Sequence, residues 1–100
     1  MISNFEKAVI SKVKIIRTNL GFTCQDIANI LNTSVNFVNN IESDKSDDKY
    51  NLNHLLKIAY LFNCSICDFF PKNYSIKNEI GSTDLIQQKE FIMKQKKKGS

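Results

Sequence analysis

One hundred residues, 42% of them hydrophobic, suffice for one small packed domain and a tail. No apolar run approaches the roughly 18 residues of a membrane span, and the opening "MISNFEKAVISKVK" alternates charged with apolar residues and is no signal peptide, so a cytoplasmic protein is expected. The net charge of +4 is uneven: residues 21–48 hold Asp26, Glu42, Asp44, Asp47 and Asp48 against Lys45 alone, while both ends of the chain are basic.

Asn4 is the expected cap of a first helix whose apolar residues Phe5, Val9, Val13, Ile16 and Leu20 step by three or four. Gly21 stops it. Thr23 opens a second helix, with "TCQD" in the form of a capping box closed by Asp26 and a buried face of Ile27, Ala28 and Leu31. After the polar "NT", Ser34 caps a third helix. Val38 and Ile41 point inward there, and Val35, Asn36, Asn39 and Asn40 lie on the opposite, exposed side. The run "ESDKSDDKYN" has no apolar period and reads as a loop. Asn51 caps a fourth helix, with Leu52, Leu55, Leu56, Ala59 and Phe62 on one face. "SICD" is again a capping box; it opens a short fifth helix that stops at Pro71, with Phe69 and Phe70 as core anchors. No segment alternates as a strand does, and no repeat is present.

Residues 1–71 thus form the domain, 72–81 a polar linker containing Gly81, and 82–98 a sixth helix. In that helix Leu85 and Ile92, and Ile86 and Met93, are pairs seven apart on a narrow stripe. So short a helix is marginal alone in water, so the stripe needs a surface: the domain, a second copy or another protein. Gly99 and Ser100 read as a cloning remnant.

Three cysteines, Cys24, Cys64 and Cys67, do not make a disulfide framework. "CSIC" would need two further ligands to hold zinc, and only Cys24 and His54 are on offer, so no metal is expected and Cys64 reads as filler in a helix–helix turn. With one histidine, no Gly-rich phosphate loop and no nucleophile–base motif, neither an enzyme nor a cofactor is expected.

Residues 13–71 carry Arg17, "GFTCQDIA" at 21–28, "NTS" at 32–34, "VNFVNNIE" at 35–42, "LLKIA" at 55–59 and "CSICDFF" at 64–70. In this spacing the stretch resembles the phage repressor/Cro-type (xenobiotic-response-element) helix-turn-helix family. The resemblance implies an all-α fold: a compact five-helix repressor-like DNA-binding domain with a helix-turn-helix, here with a C-terminal helical extension. It also implies a sequence-specific regulator of transcription, acting as a homodimer on double-stranded DNA through the third helix, with an AT-rich operator expected. By position, Val35, Asn36 and Asn40 correspond to base-facing sites, and Phe37 and Asn39 to sites nearer the core or the sugar–phosphate. Thr23, Cys24, Ser34 and Lys45 complete the expected DNA-contacting set. Arg17 and Glu42 correspond to a structural ion pair. Dimerisation falls to Phe69 and Phe70 or to Leu85, Ile86, Ile92 and Met93.

The sequence departs from the family pattern in three places. Cys24 stands where a phosphate-holding Gln is usual, Asp44 stands where Gly is usual, and the loop after the third helix is longer and acidic. The alternative reading is an antitoxin or regulatory subunit whose C-terminal helix grips a partner protein.

Overall fold

Local signals set nearly every helix boundary in the computed structural model, which describes residues 2–72 and 83–98. Helix α1, Asn4–Leu20, starts on Ser3. Ser3 Oγ accepts the Glu6 N–H at 3.0 Å, and Glu6 Oε1 accepts the Ser3 N–H at 3.0 Å. This corrects the expectation of Asn4 as cap: three residues beyond Asn4 stands Lys7, which has no acceptor to complete the box. Gly21, at φ 82°, ends α1, and the N–H groups of Gly21 and Phe22 close on the carbonyls of Thr18 and Arg17.

Helix α2, Cys24–Leu31, is capped by Thr23 and Asp26 reciprocally, at 3.1 and 2.8 Å. Asn32, left-handed at φ 57°, stops it. Two residues later Ser34 Oγ accepts the Phe37 N–H at 3.2 Å and starts α3, Val35–Glu42. Helix α4, Leu52–Phe62, is boxed by Asn51 and His54 and ends on left-handed Asn63. Ser65 and Asp68 cap a single 3₁₀ turn, Ile66–Phe69, shorter and tighter than an α-helix. Helix α5 covers Thr83–Lys98. The expected linker and the expected start at Ser82 lie outside the described residues apart from Lys72, which sits in a turn. The described residues are all helical or irregular, with no strand.

Helix α2 packs chiefly on α3 and α4, and α1 lies against α3, α4 and the 3₁₀ turn. Their shared core comprises Val9, Ile10 and Val13 of α1, Ile27, Ala28 and Leu31 of α2, Val38 and Ile41 of α3, and Leu55, Ile58, Ala59 and Phe62 of α4, closed by Tyr50 and Phe69. Each fully buried aliphatic contributes about 1.5–3 kcal/mol of transfer free energy. The aromatic end is built from Phe62, which stacks on Phe22 at 5.4 Å and meets Phe69 edge-on at 6.0 Å.

Several expected core positions are corrected. Leu20, the last residue of α1, is 52% exposed, and Leu52 and Leu56 are exposed, at 68% and 54%, because α4 turns the stripe Leu55, Ile58, Ala59, Phe62 inward instead. Val35 is half-buried against the core rather than fully on the outer face. Phe69 is 0% exposed, so it is a core residue and has no surface to offer a second subunit. Phe70 is half-buried at the rim, with its ring 5.9 Å from that of Phe5.

Candidate nucleic-acid interface

The eight-residue α3 is anchored by Val38 and Ile41, at 0% and 3% exposure, and these fix which way the rest of the helix faces. Asn36, Asn39 and Asn40 are exposed. Asn36 and Asn40, four residues apart, stand one above the other on the same side. At the helix start, Val35 and Phe37 are half-buried and flank this face. The Phe37 ring meets the His54 ring edge-on at 5.6 Å, which ties the first turn of α3 to α4. Burial pushes the His54 pKa down, with Lys57 adding to it, and His54 Nδ1 accepts the Asn51 N–H at 3.2 Å. That bond requires an unprotonated Nδ1.

Arg17 and Glu42 hold the other end of α3. Arg17 Nε and Nη2 each donate to one Glu42 carboxylate oxygen at 2.9 Å, a bidentate fork, while Nη1 donates to the Phe22 carbonyl at 2.8 Å. The two side chains are only 12% and 7% exposed. One guanidinium thereby joins the end of α1, the α1–α2 turn and the end of α3. The Glu42 hydrogen bonds raise the pKa of Arg17 further. Cys24 belongs to the same cluster: its thiol donates to Glu42 Oε1 at 3.6 Å. Burial, reinforced by the Glu42 charge, pushes the Cys24 thiol up, so it stays protonated and unreactive. The Cys24 side chain is therefore directed at the Arg17–Glu42 pair. At the surface of α2, exposed Gln25 bonds Asn29 through Nε2 and Oδ1 at 2.8 Å.

Tyr50, also missed, is buried, and burial pushes its pKa well up. Its Oη has no hydrogen-bond partner among the described residues. An isolated tyrosine in a polar run gives no periodic signal.

The acidic loop folds onto the end of α3. Ser43 Oγ and Ser46 Oγ both donate to the Asn40 carbonyl, at 3.0 and 3.3 Å, and Ser46 Oγ accepts the Asp48 N–H at 3.1 Å. Asp44 takes φ 65°, a left-handed geometry that Asp tolerates less readily than Gly. Asp44, Asp47 and Asp48 are thus exposed beside a helix C-terminus, where the helix dipole disfavours negative charge and no basic residue occupies the last turn. Lys7 and Lys14 of α1 line a cleft shared with Asp44, Lys45 and Asp47. Lys49 is engaged elsewhere: its Nζ lies 2.8 Å from Glu6 Oε2. That bond, with the Ser3 N–H, holds the Glu6 carboxyl below its usual pKa.

Thr23 and Ser34 spend their hydroxyls on helix caps at the two N-termini beside this face, and Lys45 is exposed in the loop. Of the sequence-derived set, Ser34 caps α3, Val35, Asn36, Phe37, Asn39 and Asn40 lie on it, Thr23 caps α2, Lys45 lies in the loop after α3, and Cys24 is turned towards Glu42. Every residue from 85 to 97, including Leu85, Ile86, Ile92 and Met93, is exposed. No group of three His, Cys, Asp or Glu side chains among the described residues is placed to hold a metal. Burial pushes the Cys64 thiol up, with Asp68 adding to it. Among the described residues no helix is long and apolar enough to cross a membrane. No family model matches the chain, and comparison with curated proteins and with solved structures gives no significant match.

Proposed function

We propose that this chain is a sequence-specific regulator of transcription, a repressor that binds double-stranded DNA as a homodimer in the cytoplasm, with α2 and α3 forming a helix-turn-helix. The observation that carries the reading is the outer face of α3: Asn36, Asn39 and Asn40, exposed and uncharged, on a helix whose other face is fixed by Val38 and Ile41. A helix of roughly 10–12 Å diameter fits a major groove of about 12 Å. An asparagine amide offers one donor and one acceptor side by side, the pattern that adenine N7 and N6 complement. Val35 at the rim suits a thymine methyl group. The fork of Arg17 and Glu42 supports this use because it holds α3 rigidly from below without exposing a carboxylate.

Phosphate neutralisation supplies much of the affinity of any DNA-binding protein. Here the cations are Lys45 and the α1 lysines Lys7 and Lys14, opposed by Asp44, Asp47 and Asp48. Each half-site contact is therefore weak, and a dimer gains by joining two of them. In such a dimer the two α3 helices lie about 34 Å apart, one duplex turn. The proposal includes no enzymatic activity and no cofactor.

A second reading, an antitoxin or regulatory subunit that binds a partner protein, is favoured by the exposed apolar residues of α5. Fluorescence anisotropy on AT-rich and GC-rich duplexes across a salt series separates the two. Binding that prefers one sequence and weakens steeply with salt supports the regulator. Absence of binding to any duplex at low salt overturns it in favour of the partner-binding subunit.

A further inference from the structure

Helix α5 has an interrupted apolar stripe. Lys89 follows Leu85 by four and Ile86 by three, and precedes Ile92 by three and Met93 by four. It therefore sits at the centre of the patch those four residues make. Two α5 helices paired stripe to stripe about that centre would set one Lys89 ammonium against the other. The cover that suits this stripe is apolar with a carboxylate in the middle and a cation beside it, since Glu90 adjoins Lys89.

One surface of the domain has that chemistry. Ile16 and Leu20 of α1, Phe62 and Phe70 line a groove that also contains Asp68 and Lys12. Leu20 is about half exposed there and Asp68 is exposed. The chain leaves the domain at the same place, for Pro71 and Lys72 are part of the groove wall. Residues 73–82, ten in number, then span at most about 33–36 Å before α5. Within its own chain α5 remains exposed along residues 85–97, so the groove is not covered from within.

We propose that the groove formed by Ile16, Leu20, Phe62, Phe70, Asp68 and Lys12 receives α5 of a second copy of this chain, with Lys89 meeting Asp68 and Glu90 meeting Lys12. The exchange is reciprocal, so a two-fold dimer contains the contact twice. After the first α5 has docked, the second docks within one complex, at the high effective concentration its short tether sets. This is a helix laid in an apolar groove, with the charged pair fixing its direction. The inference rests on the homodimer proposed above but not on DNA, and its test contains no DNA, so the failure of either reading is separately visible.

The test uses Asp68→Lys and Lys89→Asp in the full chain, followed by sedimentation velocity at micromolar concentration. The native chain is expected to be a dimer, and each single variant is expected to dissociate at least about tenfold more readily. An equimolar mixture of the two variants is expected to dimerise again, because both contacts in the mixed dimer then pair Lys with Asp; the double variant alone should also recover. Circular dichroism checks folding, because Asp68 also caps the 3₁₀ turn. Should Asp68→Lys fail to fold, Lys12→Glu mixed with Glu90→Lys makes the same test on the other pair. A monomeric native chain, single variants that stay dimeric, or a mixture of folded variants that stays monomeric would each overturn the proposal, the last by showing that α5 docks within its own chain or elsewhere.

Discussion

Glu42→Ala removes both acceptors of the Arg17 fork and leaves the guanidinium with one neutral partner, the Phe22 carbonyl. The exposures of 12% and 7% put this pair with buried ion pairs rather than surface ones, so water cannot replace the lost carboxylate fully. Breaking a buried pair from one side costs about 3–5 kcal/mol. For a small domain each kcal/mol moves Tm by roughly 4–8 °C, so a fall of at least ~12 °C is expected in thermal unfolding followed by circular dichroism. Replacing both partners, Arg17→Met with Glu42→Leu, should recover most of the loss, because no charge is then left buried. A drop in Glu42→Ala below about 4 °C would mean the pair is worth no more than a surface bridge, and the rigid support argued for α3 would fall with it.

Lys49→Ala should cost less than ~1 kcal/mol in urea unfolding, since the Lys49–Glu6 pair is 49% and 32% exposed; a loss above ~2 kcal/mol would show a role beyond that pair. Stability should fall as pH drops below 6.5: the His54 pKa is lowered in the folded state, so the unfolded chain takes up the proton first and the native advantage of neutral His54 is lost on acidification. Melting curves from pH 7.5 to 5 should therefore slope downward, and His54→Gln should flatten them; an unchanged slope would exclude His54 as the cause. Asp47→Asn with Asp48→Asn should tighten binding on every duplex alike, most clearly at low salt. Unchanged DNA binding would mean that the loop points away from the phosphates.

Short-range chemistry was legible in the sequence. The boxes Thr23–Asp26 and Ser65–Asp68, and the caps Ser34 and Asn51, use neighbours three residues apart, and all four form. The inward faces of α2 and α3 followed from spacing because each helix carries one apolar stripe. Helix α4 carries two: Leu52, Leu55, Leu56 and Ala59 fit the helical period as well as Leu55, Ile58, Ala59 and Phe62 do. Only packing against α2, α1 and the 3₁₀ turn chooses between them. "SNFE" is a readable capping box at the start of α1, and its Ser3 competes with Asn4 one residue on as the cap. Tyr50 and the Lys49–Glu6 pair depend on contacts between distant segments and left no local trace. The Arg17–Glu42 pair, equally distant, was reachable only through the family resemblance.

The central claim, that the outer face of α3 reads bases, is tested most directly by measuring Asn36→Ala and Asn40→Ala on a duplex selected from a random pool and on an unrelated duplex. Both side chains leave α3 opposite the buried Val38 and Ile41, so neither substitution should disturb the fold. If they bond base edges, each loses about 1–3 kcal/mol on the selected duplex, roughly 5- to 150-fold in Kd, and almost nothing on the unrelated one. Equal Kd values for native and substituted chains on the selected duplex would contradict the account and leave the asparagines as a solvated helix face.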